Sequence, residues 1–206
     1  MKDRSTSLYL ACAALGTLAL ATAPAPQANA NDDARAQAAT TQQQQLNSQR
    51  KRNDLVKIVQ QVTDKYHSLA LAENDGFQLL FGCVSDEDSG AMGLHYVKLD
   101  RYMPAPGVFD DKVNAYEPEI LLYEPTPWGP KLTGADYIVD AATWNKTHSQ
   151  APELDGQIFH FFDAPNRFGL PPFYTLHVWA WKDSPGGTFV NWNKNVRCDA
   201  HNGPDK

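Results

Sequence analysis

The sequence predicts a mainly β domain, an antiparallel sandwich or barrel, with one amphipathic α-helix near its N-terminus. Three observations lead there. From Phe77 onward, short β-rich runs alternate with Gly/Pro/Asn/Asp turn clusters. All but two of the 14 prolines lie at or beyond Pro104, where they suit loops and strand edges and break helices. No helical pattern of roughly 10–15 residues separates the strand-like runs, which argues against a doubly wound α/β fold.

Composition narrows the function classes. The chain's 206 residues, 42% hydrophobic and 20% charged, suffice for one domain with a real core. A net charge of −6 disfavours nucleic acid or an anionic membrane surface as partner, because both require clustered Lys and Arg. No apolar run reaches the roughly 18 residues that span a bilayer. Oligomeric state leaves no mark in the sequence.

Residues 1–30 read as an export signal. Lys2 and Arg4 supply a positive start, Leu8 to Ala23 a short apolar centre, and Ala28-Asn29-Ala30 a small-residue cleavage site. The expected destination is the periplasm or the extracellular space. A lipoprotein reading through Cys12 has too short an apolar stretch ahead of it. Cleavage after Ala30 leaves Cys83 and Cys198, and two cysteines in an oxidising compartment are expected to pair.

Residues 31–53 form a polar, glutamine-rich stretch without an aromatic residue, expected as a disordered linker. Arg50-Lys51-Arg52 reads as a solvated lead-in to a helix. The single domain is expected over residues 54–206. It opens with that helix, because Leu55, Ile58, Val59, Val62, Tyr66 and Leu69 recur at helical spacing. Asn53 or Asp54 can cap it, and Asn74-Asp75-Gly76 supplies the stop. Strands are expected at Phe77–Val84, Leu94–Leu99, Ile120–Tyr123, Tyr137–Val139, Ile158–Phe162, Tyr174–Trp181 and Phe189–Trp192.

Three of the six histidines sit in these strands. Alternation puts His95 on one face with Val97 and Leu99, His160 with Ile158 and Phe162, and His177 with Thr175, Trp179 and Trp181. Carboxylates occur in comparable settings. Glu119 and Glu124 bracket Ile120–Tyr123, and Asp136 precedes Tyr137. A carboxylate on a buried face costs several kcal/mol unless paired or metal-bound. Imidazole and carboxylate together suit Zn, Fe, Mn or Cu. The candidate ligand set is therefore His95, His160 and His177 with Glu119 or Glu124, and such an ion would make the protein a candidate small metalloenzyme. The plainer alternative has each histidine bonded to a backbone carbonyl and each glutamate paired with Lys or Arg.

Nucleophilic and phosphate-binding chemistry finds no motif. G-x-S-x-G is absent, the two remaining cysteines are expected to be bridged, and the glycines form no phosphate loop. The aromatic residues give a second functional class, a non-enzymatic module for a carbohydrate or apolar-faced small molecule. Its pocket would be walled by Tyr96, Tyr174, Trp179 and Trp181.

Three segments carry a resemblance. Gly90–Val97 (GAMGLHYV), Pro118–Pro125 (PEILLYEP) and Asn166–Trp181 (NRFGLPPFYTLHVWAW) resemble a family of exported bacterial proteins of unassigned function. The likeness runs from about Cys83 to Cys198. It implies histidine at the positions of His95, His160 and His177 and cysteine at Cys83 and Cys198. Members often read Trp-His-Pro near the end, where this chain has Trp192-Asn193-Lys194. Similarity to cupin-like barrels is architectural only, because the paired-histidine HxH motif is missing.

Overall fold

The computed structural model describes residues 30–203, so residues 1–29 of the expected export signal lie outside the described residues. The chain divides into two units, residues 1–41 and 42–206. Residues 30–41 of the first unit belong to α1 (Ala30–Thr63), and their described side chains are exposed. There the Thr40 and Thr41 hydroxyls donate to the carbonyls four residues back.

The rest of α1 begins the second unit. Residues 31–53 are helical where a disordered linker is expected from composition. Alanine, glutamine and arginine are good helix formers. Gln43 donates to Asn47, and Gln49 to Asn53, at i,i+4 spacing. The scarcity of large apolar residues shows instead as exposure, and Leu55 is the first buried residue among those described.

Downstream, the expected continuous helix breaks. A 3₁₀ turn, Asp64–His67, separates α1 from α2 (Leu69–Asn74). The Tyr123 hydroxyl donates to the Tyr66 carbonyl at 2.6 Å, taking it out of the helical ladder. Thr63 accepts the Trp181 indole N–H at 2.9 Å. The chain then turns through Gly76 in the left-handed region, φ +91°.

Beyond this turn the chain builds one six-stranded antiparallel sheet. Its strands are β1 (Phe77–Asp86), β2 (Gly90–Lys98), β3 (Ile120–Glu124), β4 (Lys131–Asp140), β7 (His160–Phe162) and β8 (Phe173–Val178), ordered β1-β2-β3-β4-β8-β7. A separate hairpin pairs β5 (Glu153–Leu154) with β6 (Gln157–Ile158), and short helices α3 (Leu99–Tyr102) and α4 (Ala141–Trp144) come after β2 and β4. The sheet curls into an open half-barrel. Helix and strand take similar shares of the described residues, because the polar segment is helical as well. The strand expected at Phe189–Trp192 is irregular chain, joined to the sheet by the Ala91–Asn193 bridge.

Alternation sorts the two faces. Ala135 and Tyr137 of β4, with Leu176 and Val178 of β8, pack with Leu55 and Val59 of α1. Asp136 and His177 alternate with them and point to the opposite, inner face. The other core cluster joins Phe77, Leu94, Tyr96, Leu121 and Tyr123. Cys83 of β1 is bonded to Cys198, with Cα atoms 5.8 Å apart. No helix among the described residues is long and apolar enough to cross a membrane.

Candidate metal centre

Asp136 on β4 and His177 on β8 are direct cross-strand partners. His95 comes from β2, three strand positions away from β8. On a flat sheet that separation would be roughly 14 Å at the usual strand spacing. The His95 and His177 rings are instead 5.9 Å apart, because the curl brings inward-facing side chains together. One ligand atom from each of His95, Asp136 and His177 lies within 4.8 Å of the others, so this buried group can hold a metal ion. A tetrahedral ion with bonds of ~2.0–2.1 Å separates its ligands by roughly 3.4 Å. His177 Nδ1 and Asp136 Oδ1, 3.5 Å apart, already meet that distance.

Each side chain is prepared differently. His95 Nδ1 lies 3.1 Å from the Gly93 carbonyl. Donation there puts the proton on Nδ1 and leaves the Nε2 lone pair free, as an oriented ligand requires. Gly93 has φ +87°, and a Cβ at that position would strike the Tyr123 carbonyl. Asp136 accepts the Thr175 hydroxyl at 2.5 Å. His177 is 2% exposed, yet neither ring nitrogen has a hydrogen-bond partner. Asn191, whose Oδ1 has no other partner, comes near enough to the ring to serve as a long hydrogen-bond acceptor. Buried polar atoms normally find partners, so an orphaned imidazole calls for one.

Burial sets the charge state. Desolvation lowers His95 to about 4, with the neighbouring His177 adding to the effect, and lowers His177 to about 3. It raises Asp136 to about 6, opposed by the Thr175 hydrogen bond. At neutral pH both imidazoles are uncharged and Asp136 is mostly a carboxylate. The 3.5 Å approach is therefore no ion pair. What remains is a buried negative charge beside nitrogen lone pairs, which a divalent cation would neutralise.

The triad faces a small cavity in which a water's centre can range over about 20 Å³. Its walls are apolar, led by Phe81, Phe162, Phe168 and Phe173. Phe162 and Phe173 stack with centroids 5.1 Å apart.

The other candidate residues lie elsewhere. Glu119 is buried just before β3, where its carboxylate accepts the Ile138 N–H at 3.2 Å; Ile120, the next residue, lines the cavity instead. Burial raises Glu119 to about 8. Glu124 is engaged on both oxygens, by Lys182 Nζ at 2.5 Å and the Arg197 N–H at 3.0 Å. His160 is exposed on edge strand β7, paired in register with Thr175. Of the expected ligands, the structure thus groups His95 and His177, and it adds Asp136.

None of the four expected pocket aromatics lines the cavity. Tyr96 packs on Tyr123 in the core, and the Tyr174 hydroxyl donates to Asn145. Trp179 buttresses His177 at 6.0 Å while its indole donates to Val190. Trp181 turns to Thr63 and His67. Tyr96 and Tyr174 alternate with the cavity-lining His95 and Thr175, and β8 ends at Val178, so the period-two alternation does not extend to Trp181.

Comparison with protein families, curated proteins and solved structures finds no match for this chain.

Proposed function

We propose that this is an exported protein that binds one divalent transition metal through His95, Asp136 and His177. The observation carrying the reading is the buried grouping of His95, Asp136 and His177, with ligand atoms within 4.8 Å of one another and a desolvated carboxylate among them. Two histidines and one carboxylate leave coordination positions open. A bound ion would supply Lewis-acid chemistry or an activated water there, which makes a small metalloenzyme the natural class. Zn, Fe, Mn and Cu all suit this donor set. The export signal and the Cys83–Cys198 bridge support an oxidising destination. The expected barrel class fits as well, since a curled sheet is what converges ligands from separate strands.

A second reading, an apolar-ligand module without metal, draws on the phenylalanine walls of the cavity. Thermal melts separate the two. A ligand bound only by the native state stabilises it by mass action, so the metal-loaded protein should lose stability on adding a strong chelator. The His177→Gln variant should show no such drop. Equal wild-type melts with and without chelator would leave the apolar-ligand module ahead.

A further inference from the structure

β1 and β7 are the edge strands of the curled sheet, and the Phe168 side chain packs between them. Phe168 lies on the loop joining β7 to β8. Its ring is 5.5 Å from Phe81 of β1, 6.2 Å from Phe162 of β7 and 5.9 Å from Phe173 of β8. It also lies 6.2 Å from the His95 ring.

The loop is tied at both ends of this span. Asn166 accepts the N–H groups of Phe168 and Leu170 and donates to the carbonyls of Asp163 and Leu170. Arg167 reaches across to the Ser85 carbonyl of β1 at 2.9 Å. From the other side, β1 bulges between Leu80 and Cys83 to meet it, and Phe81 takes a left-handed φ of +70°. Bulky residues rarely adopt that conformation, and the surroundings must hold it. Phe81 and Phe168 both line the cavity next to His95, Asp136 and His177.

We propose that Phe168 is the specificity-determining residue of the centre: it restricts the open coordination position to ligands of one or two heavy atoms, such as water, hydroxide, cyanide or dioxygen. This rests on the metal-binding reading above. A space of about 20 Å³ for water centres admits one water, since one needs roughly 10–15 Å³ in that measure. A ring-sized ligand would have to displace the Phe168 side chain. Removing that ring would enlarge the cavity between β1 and β7, and the hydrogen bonds of His95 with Gly93 and of Asp136 with Thr175 do not involve it.

The full chain loaded with Co(II) tests this, with cyanide and imidazole as probes and the visible bands as readout. Cyanide should shift the bands of the wild type, and imidazole should leave them unchanged. In Phe168→Ala, imidazole should bind at least about tenfold more tightly than in the wild type. Phe168→Leu keeps most of the apolar packing and should fall between the two. A Co(II)-loaded wild type that takes imidazole as tightly as either variant would overturn the gate and leave the metal site standing. A wild type that takes up no Co(II) would overturn the metal site and the gate together.

Discussion

Asp136 carries the charge of the centre, and its neighbours tune what that charge can do. The Asp136→Asn variant keeps the shape and the Thr175 contact but removes the anion. Metal affinity should drop at least about a hundredfold, beyond the usual loss for an outer partner. The metal-free variant should be more stable at pH 7, by about 1–3 kcal/mol, because a desolvated carboxylate is gone. Calorimetric titration and denaturant melts measure both. Thr175→Val, which deletes only the hydroxyl held by Asp136, should lower affinity by about 10–100-fold. The pH profile is set by the same environment. Both histidines are already neutral well above pH 4, so affinity should be flat above pH 7 and fall below about pH 6, where Asp136 takes up a proton. A profile that stays flat down to pH 5 would contradict the burial argument for Asp136. At this scale His95 and His177 are legible in the sequence, because each sits within an apolar alternating run. Asp136 is legible only as a residue ahead of Tyr137. Its partnership depends on the curl of the sheet, which side-chain alternation does not encode.

The β4–β8 pair sets the position of Asp136 against His177. Gly134 lies two residues earlier, where a Cβ would strike the Val178 carbonyl. Gly134→Ala should therefore push the strands apart, with a stability loss of about 1–3 kcal/mol and weaker metal binding. From sequence, that glycine reads as a break and hides the first half of β4, which runs from Lys131. Strand β4 bears on Glu119 as well, through the Ile138 N–H. Its folded-state value, about 8, lies above the ordinary 4.5 because of burial, so its stabilising effect is full at low pH and is lost as pH rises through 8. Glu119→Gln retains an acceptor for Ile138 N–H and escapes that loss. The stability gained over wild type should grow by about 3–5 kcal/mol between pH 4 and pH 9. A pH-independent difference would mean that Glu119 titrates normally. Helix α1 shows the converse limit of sequence reading. The apolar spacing of Leu55 and Val59 marks the buried face, while the polar residues before it form helix by intrinsic propensity with nothing to bury.

Across the second unit, the inner face of one curled sheet gathers the site, Leu55 and Val59 of α1 cover part of the outer face, and a disulfide joins β1 to Cys198. The bridge spans 115 residues, and removing such a link typically costs about 2–5 kcal/mol. Because Cys83 and Cys198 lie outside the triad, replacing both by serine should lower the melting temperature and leave metal stoichiometry unchanged. The mainly β character and the cysteine pairing are legible from turn clusters and cysteine count. The half-barrel is not, because closure depends on how far each strand pair twists. The central claim is that this inner face holds an ion. The most direct measurement is the metal content, by elemental mass spectrometry, of full chain purified without a nickel column and exposed to equimolar Zn, Fe, Mn and Cu salts. One divalent ion per wild-type chain is expected, with that ion lost from folded Asp136→Asn and His177→Gln variants. Sub-stoichiometric metal in the wild type, unchanged in both variants, would contradict it.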